Sequence, residues 1–141
     1  RSGRAGVPTD ATIVLVHDAA RPLASVALFR RVIDAVRSGS DAVVPVVPVV
    51  DTIRSVDGGV VDRDSLRAVQ TPQGFCASTL RRVHSGLPDA SDDAGLVEAQ
   101  GGSVAMVAGE RRNLKLTEPA DRVTAAAWLA ADDDGAADSS S

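Results

Sequence analysis

Apolar residues along this chain come in two rhythms, unbroken runs and helical repeats, and their alternation predicts most of the fold. Residues Ala11 to Val16 form an apolar, β-branched run that follows turn-formers and stops at His17 and Asp18, as a buried parallel strand does on reaching the surface. From Ser25 to Arg37, Leu28, Phe29, Val32, Ile33 and Val36 recur at helical spacing, with Arg30, Arg31, Asp34 and Arg37 on the other face. That pattern predicts an amphipathic helix, and Gly39 is placed to end it. Asp41 to Val50 is a second Val-rich run, read as another buried strand. Strand, helix and strand in this order predict a right-handed crossover.

The next stretch is shorter in its rhythm and more polar. Asp51 to Val56 and Val60 to Asp62 flank Asp57-Gly58-Gly59, a hairpin signal, and their polarity predicts a projecting arm over about residues 51–67. Arg67 to Val69 is expected back in the sheet, ending where Thr71-Pro72-Gln73-Gly74 should forbid regular structure. Helices are expected at Ala77 to Ser85 and at Asp92 to Gln100, the second capped by Ser91 and opened by two aspartates. Ser103 to Ala108 and Asn113 to Leu116 read as strands. A last helix opens at Thr117-Glu118-Pro119, with Pro in its first turn, and is expected to end near Ala131. No internal repeat is present. The whole pattern is α/β.

Composition narrows the partners. With 141 residues, 44% of them hydrophobic and 24% charged, the chain has the size and balance of one globular domain. A net charge of -4 and only 2% aromatic residues leave no basic stripe or stacking platform, so the expectation is no nucleic acid and a small nucleotide at most. The lone Cys76 fits a reducing, cytoplasmic location, and no apolar run approaches the roughly 20 residues that cross a bilayer, so no membrane is expected.

Four segments carry chemistry. They are Val16-His17-Asp18-Ala19-Ala20-Arg21-Pro22; Asp51-Thr52-Ile53; Ala68-Val69-Gln70-Thr71-Pro72-Gln73-Gly74-Phe75; and Asn113-Leu114-Lys115-Leu116-Thr117-Glu118-Pro119-Ala120-Asp121. In that order they resemble the 2-C-methyl-D-erythritol 4-phosphate cytidylyltransferases. The resemblance implies a Rossmann-like, three-layer nucleotidyltransferase sheet, here partial, with a projecting β-arm that joins a homodimer. It further implies CTP and a polyol phosphate as substrates, and attack by the polyol's phosphate on the α-phosphorus of CTP with no protein nucleophile.

Each candidate residue also has a plainer reading. Asp18 stands where a strand surfaces, and ligands of such sheets lie outside the carboxyl ends of their strands. Its carboxylate can hold the Mg2+ of a nucleoside triphosphate or cap its own loop; the small Ala19 and Ala20 beside it, which let a nucleotide approach the backbone, favour the metal and nucleotide role. His17 reads as a packed, hydrogen-bonded histidine. Arg21 can clamp a phosphate or pair with a carboxylate. Lys115 is either a surface lysine or a compact charge for phosphate oxygens, and the resemblance implies that it orients the attacking phosphate. Asn113 and Thr117 read as turn former and helix N-cap. The resemblance assigns Thr52 and Arg63 to the polyol phosphate of a partner subunit's site; the alternative for Arg63 is an exposed arm charge. Thr71 and Gln73 are expected to shape the substrate loop.

The family's amino-terminal Gly-rich loop is not seen in this sequence. Ser2-Gly3-Arg4-Ala5-Gly6 follows no strand and reads as loop, the chain begins at Arg1, and its one Met is Met106. Residues 1–10 are therefore expected to be a polar leader ending an upstream region, residues 11–131 the carboxyl-terminal part of a cytidylyltransferase domain, and residues 132–141 a disordered acidic tail. The 141 residues alone are expected to show little or no transfer. Rival readings are a ribitol-phosphate cytidylyltransferase, a non-catalytic module that dimerises through its arm, and a fusion to a further isoprenoid-pathway domain.

Overall fold

Leu28, Val32 and Val36 are spaced four apart and therefore share one helix face, and their burial builds the first layer of the molecule. The computed structural model describes residues 12–84 and 92–139. These three side chains lie on α1 (Val26–Arg37), between β1 (Ile13–Val16) and β2 (Ala42–Pro48), and pack with Val43 over one face of the sheet. Their removal from water stabilises the fold by roughly 1.5–3 kcal/mol per side chain. Ser25 caps α1, its hydroxyl accepting from the Leu28 N–H, and Gly39 follows the helix with φ of 116°.

After β2 the chain makes the arm, a small antiparallel pair of β3 (Ile53–Arg54) and β4 (Val60–Val61). Gly58 and Gly59 close it at φ of 112° and 83°, the left-handed region that glycine enters without a Cβ penalty. A 3-10 turn (Arg63–Ser65) leads into β5 (Arg67–Val69), which pairs with β2. Beyond come β6 (Gln73–Cys76), α2 (Ala77–His84), α3 (Asp93–Ala99), β7 (Val104–Ala108) and α4 (Pro119–Ser139). Phe75, Leu80, Val83, Val97 and Val44 fill the opposite face of the sheet, so α1 on one side and α2 with α3 on the other give the three-layer, Rossmann-like arrangement.

The sheet runs β1-β6-β2-β5, with β7 on the other edge of β2. Among the described residues only β2 and β7 pair in parallel; β6 is antiparallel to both β1 and β2. The sheet is thus mixed, and the crossover through α1 joins parallel strands that are not neighbours. The inserted strand corrects the expectation that Gln73-Gly74 breaks the structure. The bend is confined to the cis Thr71–Pro72 peptide. Gly74 is a strand residue whose hypothetical Cβ would lie 2.6 Å from Val32 Cγ1 and 2.9 Å from Val36 Cγ2. It is small because α1 presses on it there.

Three further expectations change. Residues 113–117 form no strand; a single backbone bond, Leu116 N–H to the Ala20 carbonyl at 2.7 Å, replaces a ladder. Asp92, not Ser91, is the cap of α3, its carboxylate accepting from the Gly95 N–H at 2.9 Å; Ser91, like Ala11 and Ser85, lies outside the described residues. The last helix does not stop near Ala131 but runs on to Ser139, so the stretch read as a disordered tail is helical through that residue. Alanine, the strongest helix former, recurs at 125–127, 130–131 and 136–137 and outweighs the acidic residues between.

Candidate functional site

Where β1 ends, the backbone turns at once: the Arg21 N–H donates to the Asp18 carbonyl at 2.9 Å. Ala19 stands exposed at the tip of that turn, and the Ala20 N–H donates to Asp18 Oδ1 at 2.9 Å. The other carboxylate oxygen, Oδ2, lies 3.5 Å from Lys115 Nζ. The Ala20 N–H, with the charges of Lys115 and Arg21, holds the Asp18 carboxyl below its ordinary value of 3.8, and partial burial opposes them only in part. Asp18 therefore stays anionic at neutral pH, facing a lysine that is half exposed.

His17 and Thr71 hold the turn from below. The Asp18 N–H donates to Thr71 Oγ1 at 2.9 Å, and Thr71 Oγ1 meets His17 Nδ1 at 3.1 Å. His17 Nε2 lies 2.9 Å from the Arg21 carbonyl, an acceptor, and therefore donates to it. The ring also meets Phe29 edge-on, centroids 5.2 Å apart. His17 is more exposed than the packed histidine expected, but both of its nitrogens are engaged in scaffolding.

Arg21 also ties two loops together. Its Nη1 donates to the Asn113 carbonyl at 2.6 Å, so the guanidinium ties the Asp18 turn to the segment that carries Lys115. Asn113 does close a turn, its N–H donating to the Glu110 carbonyl at 3.1 Å, but its side chain does more: it is fully buried, and its Nδ2 donates to the Thr71 carbonyl at 2.7 Å and to Gln70 Oε1 at 3.2 Å. Thr117 is not the N-cap. The Asp121 carboxylate, one turn into α4, accepts from the Thr117 N–H, the Thr117 hydroxyl and the Glu118 N–H at 2.9, 3.0 and 2.9 Å. The carboxylate satisfies helix-start donors that a hydroxyl would otherwise serve.

The structure thus gathers Asp18, Ala19, Arg21, Thr71 and Lys115 into one cluster. It does not bring Thr52 or Arg63 there. Both are exposed at the base of the arm, and Arg63 Nη1 donates to the Val50 carbonyl at 2.7 Å. Gln73 sits in β6 opposite Val16. Two residues in the cluster had no assigned role, Gln70 and Glu110. Gln70 stands inside a quoted motif as a glutamine just before Thr71, but its partners lie in a distant loop that no spacing reveals.

The comparisons with known proteins decide the family. Residues 2–131 match the family described as 2-C-methyl-D-erythritol 4-phosphate cytidylyltransferase. The chain belongs to that family. The 2-C-methyl-D-erythritol 4-phosphate cytidylyltransferase of Rubrobacter xylanophilus is 52% identical over 130 residues, covering 86% of this chain and 56% of the relative. The one from Rhodococcus jostii is 50% identical over 136 residues, covering 91% and 60%. The crystal structure of the Thermus thermophilus cytidylyltransferase superposes with a TM-score of 0.75 at 47% identity, covering 84% of this chain and 62% of that one. The chain therefore spans little more than half the length of the relatives it matches. The four motifs that suggested the family, and the Asp18–Lys115 cluster they build, all fall inside the matched region.

Proposed function

We propose that this chain supplies both polyol-phosphate and nucleotide contacts of a cytidylyltransferase that moves a cytidylyl group from CTP to 2-C-methyl-D-erythritol 4-phosphate. The observation that carries the reading is the Asp18–Lys115 pair, a carboxylate and a half-exposed ammonium 3.5 Å apart at the carboxyl end of β1, inside the segment shared with that family. In the reaction, a phosphate oxygen of the polyol phosphate bonds to the α-phosphorus of CTP. The bond from that phosphorus to the bridging oxygen of the β-phosphate breaks, and pyrophosphate leaves with the electron pair. Phosphate is already anionic, so no general base is needed; the task is to hold two polyanions in line and offset their charge. Lys115 Nζ has three donors and can serve phosphate oxygens from its place beside Asp18. Arg21 and Thr71 set the turn, and Ala19 leaves the backbone open to the nucleotide. Thr52 and Arg63 bind the polyol phosphate in a partner subunit's site, delivered by the arm of a homodimer.

Magnesium fits this site in one way. No group of three His, Cys, Asp or Glu side chains is gathered among the described residues, so the protein offers no cage. Mg2+ commonly takes one or two carboxylates with substrate phosphates and waters, and Asp18, kept anionic, is the residue that would hold it. Bound there, the ion would neutralise phosphate charge. No helix among the described residues is long and apolar enough to cross a membrane, in keeping with the cytoplasmic location we assign.

The test is pyrophosphate release by the full-length enzyme with CTP and either 2-C-methyl-D-erythritol 4-phosphate or ribitol 5-phosphate. Turnover with the first and little with the second is expected. Preference for ribitol 5-phosphate, or turnover with neither, would refute the assignment.

A further inference from the structure

Lys115 has no strand or helix to hold it, so something else must fix where its ammonium points. We propose that Gln70 and Asn113 are positioning residues whose paired side-chain amides clamp the Lys115 segment against the Thr71 bend, setting Lys115 opposite Asp18. The proposal rests on the reading of Lys115 as a phosphate contact.

Gln70 is buried just before the Thr71–Pro72 bend. Its Oε1 accepts from the Glu110 N–H at 3.0 Å and from Asn113 Nδ2 at 3.2 Å, while its Nε2 donates to the Glu110 carbonyl at 2.7 Å. One side chain thus serves both backbone groups of Glu110, as a neighbouring strand would, where no strand exists. Gly109 makes room for it: a Cβ there would lie 2.5 Å from Gln70 Oε1. Asn113 completes the clamp by donating to the Thr71 carbonyl at 2.7 Å.

The orientation of Asn113 is forced. Turning its amide over would aim Oδ1 at two acceptors, Gln70 Oε1 and the Thr71 carbonyl, so the native orientation stands even though Oδ1 has no hydrogen-bond partner there. A buried acceptor left unpaired is a cost, and here it accompanies two well-placed donations. Two residues on, the Leu116 N–H is tied to the Ala20 carbonyl at 2.7 Å. Lys115 is therefore pinned from both sides, on one by the amide clamp and on the other by the Asp18 turn. A catalytic ammonium displaced by about an ångström loses much of its effect.

The test is a double-mutant cycle on turnover by the full-length enzyme, with unfolding midpoints measured in parallel. Gln70→Leu keeps the volume and removes all three hydrogen bonds. It is expected to lower kcat about tenfold with little change in KM for CTP, yet to cost less than about twofold when Lys115 is already Met, because the clamp acts through that lysine. If Gln70→Leu does not fold, Asn113→Ser, which retains one donor, takes its place in the cycle. Equal losses with Lys115 present and absent would overturn the clamp and leave the functional reading standing. A Lys115→Met enzyme with normal turnover, or an unsubstituted enzyme with none, would overturn both.

Discussion

Asp18 and Asp41 look alike in isolation and are built for different ends. Both are partly exposed, and both are held below the ordinary carboxyl value of 3.8. Asp18 follows the last residue of β1 and Asp41 precedes the first of β2. Because those strands run parallel, the two carboxylates stand at opposite ends of the sheet. Asp41 is filled with donors from the fold itself: Thr79 Oγ1 at 3.0 Å on one oxygen, and the Ser103 N–H at 2.9 Å with its hydroxyl at 3.4 Å on the other. Its own N–H donates back to Ser103 Oγ at 3.0 Å. It staples the start of β2 to α2 and to the approach of β7. Asp18 spends one oxygen on its turn and the other on a lysine 52% exposed. One carboxylate is held mainly by neutral groups of the fold, with the charge of Arg82 a smaller contribution; the other faces a half-exposed ammonium, which the proposed function assigns to a phosphate. The difference in partners marks Asp41 as structural and supports the site role proposed for Asp18 more clearly than any shift in titration.

Three experiments press on this comparison. The largest effect is expected at the site end. Lys115→Met keeps the aliphatic stem, and Asp18→Asn keeps an acceptor for the Ala20 N–H; each should cut turnover by about 10²–10³-fold, the size typical of losing one charge-stabilising group. Each should cost under about 1 kcal/mol in urea unfolding, since exposed ion pairs contribute little. Several kcal/mol of lost stability with intact turnover would show that the pair is structural and the contrast false. The middle effect is the mirror image. Asp41→Ala should lower unfolding stability by roughly 2 kcal/mol, the order for removing hydrogen bonds to a charged group, while kcat and KM stay within about twofold of the unsubstituted enzyme.

How much of this could be read beforehand follows the range of each interaction. The β1-α1-β2 unit and the arm were legible because periodicity and the Asp57-Gly58-Gly59 turn are local. β6 was not, because Pro72 and Gly74 carry turn signals while the reason for Gly74, the approach of Val32 and Val36, lies in another layer. Asn113 was legible as a turn residue, but its buried side-chain role was not, because its partners Gln70 and Thr71 are distant in sequence. At the site, Asp18, Arg21, Thr71 and Lys115 were named from their motifs. What each touches within the protein was not legible: Arg21 donates to the Asn113 carbonyl, and Asp121 rather than Thr117 serves the start of α4. Identity of chemistry was local, whereas placement depended on loops brought together by the sheet.

The smallest effect is on the acid limb of stability, and it sharpens the comparison most. A carboxyl whose folded value is depressed contributes stability that is whole above its unfolded value, near 3.9, and is lost as pH falls through the folded one. Both aspartates have that sign, so both should help to steepen acid unfolding. The Asp41 share comes first from the Ser103 N–H and then the Thr79 hydroxyl, neutral donors that added salt screens weakly, with the charge of Arg82 as the smallest contribution. The Asp18 share comes first from the Ala20 N–H but includes the charges of Lys115 and Arg21, which salt at about 1 M screens within a few ångströms. Unfolding midpoints between pH 5 and pH 2, at low and high salt, should show both variants flattening the acid limb at both salt levels, with the effect of Asp18→Asn shrinking more than that of Asp41→Asn when salt is added. Equal salt sensitivity of the two variants would mean that Lys115 adds little to holding Asp18 ionised, and that the backbone turn alone does so.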